Sequence, residues 1–327
     1  MPPLEVTLRR SARQRALAAR AVASADLLWS SLDPRRIAES WHEVSGQVLT
    51  LLTAAQQASA DGAQSYVEAA VTAAGARPAP AGRLNISALA GVAADGRDLA
   101  SLLELPRITT LTQIAAGLPA DTALRLGRSQ LLRTVSSEVA DAGRVASGVG
   151  IVADRTCTGY VRVVAGGACS RCIILAGQIY GSKTAFDRHP QCQCIHEPTT
   201  RGRRGAHLEP RRYFDSLSAA EQQRRFGTDG ARAIRDGADL RQVVNARRRG
   251  STYTTRDGAR ATRQGTSKRS AFYRRERDRA IATGRAPADI GRQFQLRSVR
   301  LMPEEIYRLA ATRDEAIALL RRYAYLI

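Results

Sequence analysis

The sequence predicts a predominantly α-helical protein of the α+β class, and three observations carry that expectation. Long stretches of the first half place apolar residues at the helical period of about 3.6. Near residue 160 the pattern becomes β-branched and partly alternating, and the last third then returns to short, capped helices. Hydrophobic residues make up 44% of the 327 and aromatics only 5%, so small-residue helix packing is expected in place of an aromatic core. The chain divides by composition into a helical segment 1–76, a second helical segment 84–156, a small α+β module 157–200 and a basic, mostly helical region 201–327.

The first helix is expected over 4–31, where Leu8, Ala12, Leu17, Val22, Leu27 and Leu28 recur at loose helical spacing. Asp33-Pro34 supplies an N-cap followed by proline at the first helical position, and one continuous helix is expected from Arg35 to about Ala74. Trp29 and Trp41 are expected in the core. Gly75–Gly82 reads as a linker. Helices are then expected over Ser87–Leu105 and Asp121–Ser147, joined through Pro106, Gly117 and Pro119, with Asp121 as the cap of the second. Tyr160–Val164 reads as a strand, Cys172–Ala176 as a helical turn or buried strand, Ile179-Tyr180 as a further strand, and Thr199–Arg204 as a linker.

In the last third, Ser218-Ala219-Ala220-Glu221 has the pattern of a capping box, and two short helices separated by Gly237 are expected between Asp229 and Asn245. Residues 250–270 are rich in Thr, Ser, Gly and Arg, with Tyr253 as the sole sizeable apolar group, and are expected to be mobile unless a partner orders them. Pro303-Glu304-Glu305 opens one helix and Thr312–Glu315 the last, whose apolar tail Tyr325-Leu326-Ile327 should be docked.

Charge is unevenly spread. The net +20 resides mostly in residues 201–327, which carry 30 basic and 14 acidic side chains. Arginine outnumbers lysine 48 to 2, which a GC-rich genome would explain, but the excess over acid remains. A polyanion is the expected partner, with DNA phosphate the obvious one. No secretory signal and no run of about 20 apolar residues is visible, so neither export nor a membrane partner is expected.

Four of the five cysteines and one of the four histidines fall in Cys169-x2-Cys172 and His189-x2-Cys192-x-Cys194. Two thiolates two residues apart reach one ion from a tight turn, and zinc then takes two further ligands from the second cluster. Cys169, Cys172, His189 and Cys192 are the favoured set, with Cys194 competing for the fourth place. A structural zinc staple is the expected role. Reduced buried cysteines, a disulfide and a catalytic zinc are the competing readings, the last disfavoured because the nearby Glu197 lies outside any His-Glu-x-x-His helix. Cys157 reads as a buried thiol.

The segment Cys-Ser-Arg-Cys, the following Ala-Gly-Gln-Ile-Tyr, and Phe186-x2-His189-Pro190-x-Cys192-x-Cys194 with Pro198 resembles the Mu F-like minor head proteins of tailed phages, also called phage head morphogenesis proteins, in their actinobacteriophage form. The likeness is strongest over 155–200, and the segment from Ala233 to Arg247 and the closing Met302–Tyr307 are similar in the same way. The resemblance implies a low-copy protein of the virion interior, present in the host cytoplasm during assembly, with portal, capsid proteins and packaged DNA as partners. It also implies that Cys169, Cys172, His189, Cys192 and Cys194 are the functional positions. A second reading is a capsid maturation protease, as some relatives are labelled. The sequence offers only His42, His189, His196 and His207 as bases and no Gly-x-Ser-x-Gly elbow, so a non-enzymatic role is favoured. A zinc-containing nucleic-acid-binding protein of the cell is a third, without a helix-turn-helix or paired-finger spacing to support it.

Overall fold

Helix α1 (Pro3–Ser30), α2 (Ile37–Ala60), α3 (Ala63–Ala73), α4 (Leu99–Ala115) and α5 (Ala120–Ala153) build the first half of the chain in a computed structural model that describes residues 3–185, 188–192, 194–202 and 209–326. Of the residues singled out above, Phe186, Arg203, Arg204, His207 and Ile327 lie outside these. Helix covers 58% of the structure and strand 9%, well above the ordinary helical share of about a third, so the α-rich α+β class holds. By contacts the chain forms two units, Met1–Ala168 with Leu175–Leu208, and Cys169–Ile174 with Glu209–Ile327.

In the first unit, α1, α2, α4 and α5 share one core, in which Ala18, Ala21 and Ala25 of α1 face Leu52, Leu103, Leu131 and Val135. Trp29 and Trp41 meet inside it with ring centroids 5.5 Å apart, and the Trp41 indole N–H donates to Glu104 at 2.8 Å. Alanine on α1 leaves room for its neighbours, and at Gly127 α5 lies directly against α4. A Cβ there would lie 2.0 Å from Thr110 Oγ1 and 2.8 Å from the Pro106 carbonyl.

Four expectations are corrected here. The helix expected from Arg35 to Ala74 breaks after Ala60, where Gly62 takes φ 68°. The buried Arg10 guanidinium caps the break by donating to the carbonyls of Ser59 and Asp61, both at 2.6 Å, which supplies the partners that a helix end lacks. Asp33 does not cap α2; its carboxylate accepts from Arg35 N at 2.8 Å in a local turn, and Arg36 stands at the cap. The helix expected from Ser87 starts instead at Leu99, capped by Asp98 on Ser101 N at 3.0 Å, and it runs through Pro106. Residues 86–89 form only a 3-10 turn, and Asp121 lies in the first turn of α5, after Pro119 at the cap.

Strand β1 (Cys157–Val163) leaves α5 and pairs antiparallel with β2 (Ile179–Gly181) on one side and β3 (Ile195–Thr200) on the other. Tyr160 is opposite both Tyr180 and Pro198, and Val163 is opposite Ile195. β3 takes in Thr199 and Thr200, which sequence reading assigned to a linker. Its Pro198 is tolerated because β3 is an edge strand of the sheet. Val161, Val163 and Ile195 form a small core with Leu4 of α1. Tyr66 of α3 donates its phenol to the carbonyl of His196 at 2.5 Å, tying the helices to β3.

The second unit holds the short helix α6 (Ser170–Ile173), then α7 (Pro210–Asp215), α8 (Ala219–Phe226), α9 (Thr228–Arg235) and α10 (Leu240–Ala246). A hairpin of β4 (Thr252–Thr254) and β5 (Arg260–Thr262) follows, then α11 (Ala271–Ala282), β6 (Arg300–Leu301), which pairs with β5, α12 (Pro303–Leu309) and α13 (Arg313–Arg322). The hairpin occupies the segment expected to be mobile. Ser218 accepts from Glu221 N at 3.3 Å, and Thr312 with Glu315 forms a full capping box. Phe214 and Phe226 meet edge to face at 5.1 Å. The tail docks as expected through Tyr325, fully buried, whose phenol donates to Leu301 O at 2.9 Å.

Candidate metal centre

The antiparallel pairing of β1 with β3 explains how two clusters some twenty residues apart in sequence meet. With Val163 opposite Ile195, the chain leaving β1 and the chain entering β3 emerge at the same end of the sheet. The first cluster lies just beyond β1. Ala168 N bonds the Ala165 carbonyl at 3.2 Å, and Cys169 becomes the N-cap residue of α6, which carries Cys172. The second lies just before β3, where Cys192 N returns to the His189 carbonyl at 3.1 Å, closing a turn through Gln191 at φ 61°. Ser137 of α5 holds that turn, its hydroxyl accepting from Gln191 N at 3.0 Å.

All five sequence candidates are brought together. The donor atoms of Cys169, Cys172 and His189 lie within 4.8 Å of one another, as do those of Cys172, Cys192 and Cys194. Thiolates about 2.3 Å from a tetrahedral zinc stand about 3.8 Å apart, so both groups are near closing distance for a metal ion. Cys172 belongs to both groups, and Cys192 is grouped with Cys194. Cys172, Cys192 and Cys194 are buried. The Nδ1 of His189 lies 2.8 Å from the Pro190 carbonyl. With the proton on Nδ1, Nε2 keeps its lone pair for a metal, the usual arrangement of a ligating imidazole.

The surroundings fit a charged donor set. Three thiolates and a histidine around a divalent ion carry a net −1, and four thiolates carry −2. Arg144 on α5, buried, donates to the Cys192 carbonyl at 2.6 Å, and Asp141 holds it at 2.6 Å. Asp141 also pairs with Arg188 at 2.5 Å. Arg162 of β1, also buried, reaches within 4.0 Å of the Cys192 sulfur. These three guanidiniums and one carboxylate sum to +2, enough to offset either donor set in a medium where an unbalanced charge is costly.

Sequence reading missed Arg144, Asp141 and Arg162. The signal available was Asp141-x-x-Arg144, an opposite-charge pair at helical spacing in a stretch otherwise rich in Ala, Gly and Val. His196 and Glu197 sit on β3 and belong to neither donor group. His196 packs against Tyr160 with ring centroids 4.2 Å apart. Loss of water, followed by the fields of Arg144, Arg188 and Arg162, pushes its imidazole down to about 3, so it is neutral. Cys157, expected to be a buried thiol, is only half-buried, and burial with Asp154 adding pushes its thiol up to about 12, which keeps it protonated and unreactive.

Comparison with known families decides the origin of this arrangement. The family described as VG15 protein matches residues 5–220. The chain belongs to the VG15 protein family. VG15 is a family of phage proteins, and its match covers the helical layer, the sheet and every candidate ligand. Among curated proteins and among solved structures, nothing matches this VG15 member. No helix among its described residues is long and apolar enough to cross a membrane.

Proposed function

We propose that this phage protein is a Mu F-like minor head protein, placed inside the head at the portal, with a structural zinc centre and a DNA-contacting C-terminal region. The observation that carries the reading is the gathering of Cys169, His189, Cys192 and Cys194 around Cys172 within the part of the chain that matches a phage family. Four of these five would hold the ion. Three of the sulfurs are buried, which supports a structural site over a catalytic one that keeps a position open to substrate. Zinc, when bound, supplies a cross-link between the loop after β1 and the loop before β3. Ser137 and Arg144 of α5 orient the second loop from outside. The excess of 30 basic over 14 acidic residues in 201–327 supports contact with packaged DNA.

The test is in the particle. Peptides of this chain should be found by mass spectrometry in purified phage heads at a few copies per portal. A phage bearing Cys172→Ser should yield heads depleted of the protein. Infectious particles that lack the chain altogether would contradict the reading.

A further inference from the structure

The second unit distributes its charges unevenly. Asp215, Glu221, Asp236, Glu276, Glu304 and Glu305 are taken up in ion pairs with neighbouring arginines. Asp239 and Glu315 serve as helix-capping groups. What remains uncompensated is concentrated in residues 241–275, which carry eleven basic side chains against the single acid Asp257. Of those eleven only Arg247 forms an ion pair among the described residues, with Glu304 at 2.6 Å.

The β4–β5 hairpin organises this surplus. Arg248 and Arg249 stand before β4, where Ser251 N bonds the Arg248 carbonyl at 2.9 Å. Arg263 leaves β5 at the same end, its N–H on the Ser251 carbonyl at 2.8 Å. Arg256 sits at the tip, and Arg260 lies opposite Thr254 between the two. All five are exposed, as are the hydroxyl residues Thr252 and Thr254. From Ser251 to Thr255, about four steps of roughly 3.3 Å along the hairpin separate its two ends by roughly 13 Å. Over that distance duplex DNA presents about eight phosphates, at one charge per about 1.7 Å.

We propose that this hairpin and its flanking arginines form the phosphate-contacting face for duplex DNA, a proposal that rests on the DNA contact argued above. Guanidinium and hydroxyl donors are the chemistry that positions a protein on the DNA backbone. A stacking platform for single strands is not offered, because Tyr253, the sole aromatic of the hairpin, is half-buried with the Arg263 guanidinium 5.2 Å over its ring. A membrane surface would call for large apolar groups beside the cations, and 241–275 exposes none.

The experiment measures binding of the full chain to a random-sequence duplex across a salt series. It compares wild type with Arg248→Gln/Arg249→Gln/Arg256→Gln and with a control of equal charge loss in the first unit, Arg35→Gln/Arg77→Gln/Arg83→Gln. The side chains of Arg248, Arg249 and Arg256 make no hydrogen bond among the described residues, so an unchanged melting curve should verify the fold. The wild type should show a steep log-affinity against log-salt line. The hairpin variant should bind at least tenfold more weakly at low salt, with a slope shallower by about 2 to 3, and the control should match wild type. Equal losses in variant and control, or none in the variant, would overturn the hairpin while leaving DNA contact standing. A wild type that does not bind DNA overturns both. Retained DNA binding with lost binding to phosphatidylserine vesicles assigns the face to lipid and overturns it as well.

Discussion

Arg144 of α5 donates to the backbone carbonyl of Cys192 across 2.6 Å, joining a long helix to a cysteine 48 residues further along the chain. The same guanidinium is held by Asp141, so one buried cation both fixes the loop before β3 and places positive charge beside the thiols. Arg144→Met keeps the volume and removes both effects. Asp141 retains Arg188, so the loss should be about 3 kcal/mol and not the full cost of a stranded charge. Urea denaturation should report that loss, and competition with a chromophoric chelator should report a 10- to 100-fold weaker metal affinity. A variant unchanged in both would remove Arg144 from the account.

Cys172 belongs to both donor groups, and the other candidates each belong to one. Cys172→Ser should therefore abolish metal binding, while the single variants Cys169→Ser, Cys192→Ser and Cys194→Ser should differ among themselves. Metal retention in each, measured by elemental analysis after dialysis, names the spare sulfur: the variant that keeps the metal has lost a bystander. If all three retain it and Cys172→Ser does too, the cluster is not a metal site.

Glu138 is buried on α5 with its carboxylate accepting from Ala94 N at 2.8 Å. Burial pushes its carboxyl up, the Ala94 bond opposes this, and Asp141 and Asp95 add to it. A raised folded value means that folding favours the protonated form. That contribution is full below the unfolded value, near 4, and is lost as pH rises through the folded one. Glu138→Gln keeps an acceptor for Ala94 and removes the charge. It should be more stable than the wild type at neutral pH and should flatten the stability profile between pH 4 and neutrality. A loss of stability at pH 7 would contradict this.

Arg300 is buried in the second unit without a carboxylate partner among the described residues. It donates to the carbonyls of Tyr323, Gln264 and Ala324 and to the Gln242 side chain, and it lies 4.3 Å from the Tyr325 ring centroid. Arg300→Met should cost about 3 to 5 kcal/mol, because the orphaned carbonyls stay buried. Arg300→Lys should rescue little, since one ammonium cannot span the fork of acceptors. Chemical denaturation of both variants tests this, and near-wild-type stability in either case would refute it.

Much of this architecture was legible in the sequence, and the misses have physical causes. Trp29 and Trp41 form the core that their residue type predicts, and Thr312 marks the last helix by its own capping chemistry. The break at Gly62 was invisible, since an isolated glycine costs a helix only about 1 kcal/mol. What decides it is Arg10, some fifty residues away in sequence. β3 was missed because Pro198 and the His-Glu pair look like loop chemistry, and only the edge position of the strand makes the proline acceptable. The five metal-site candidates followed from spacing alone. Their charge partners Arg144 and Arg162 did not, because the packing of α5 brings in the first and the β1–β3 register the second.

Zinc content is the most direct test of the central claim, that the cysteine–histidine cluster is a structural staple. Elemental analysis of the purified, reduced full chain should give one zinc per chain, and chelation should lower its melting temperature. Well under one zinc per chain, with all five side chains intact and reduced, would contradict the account.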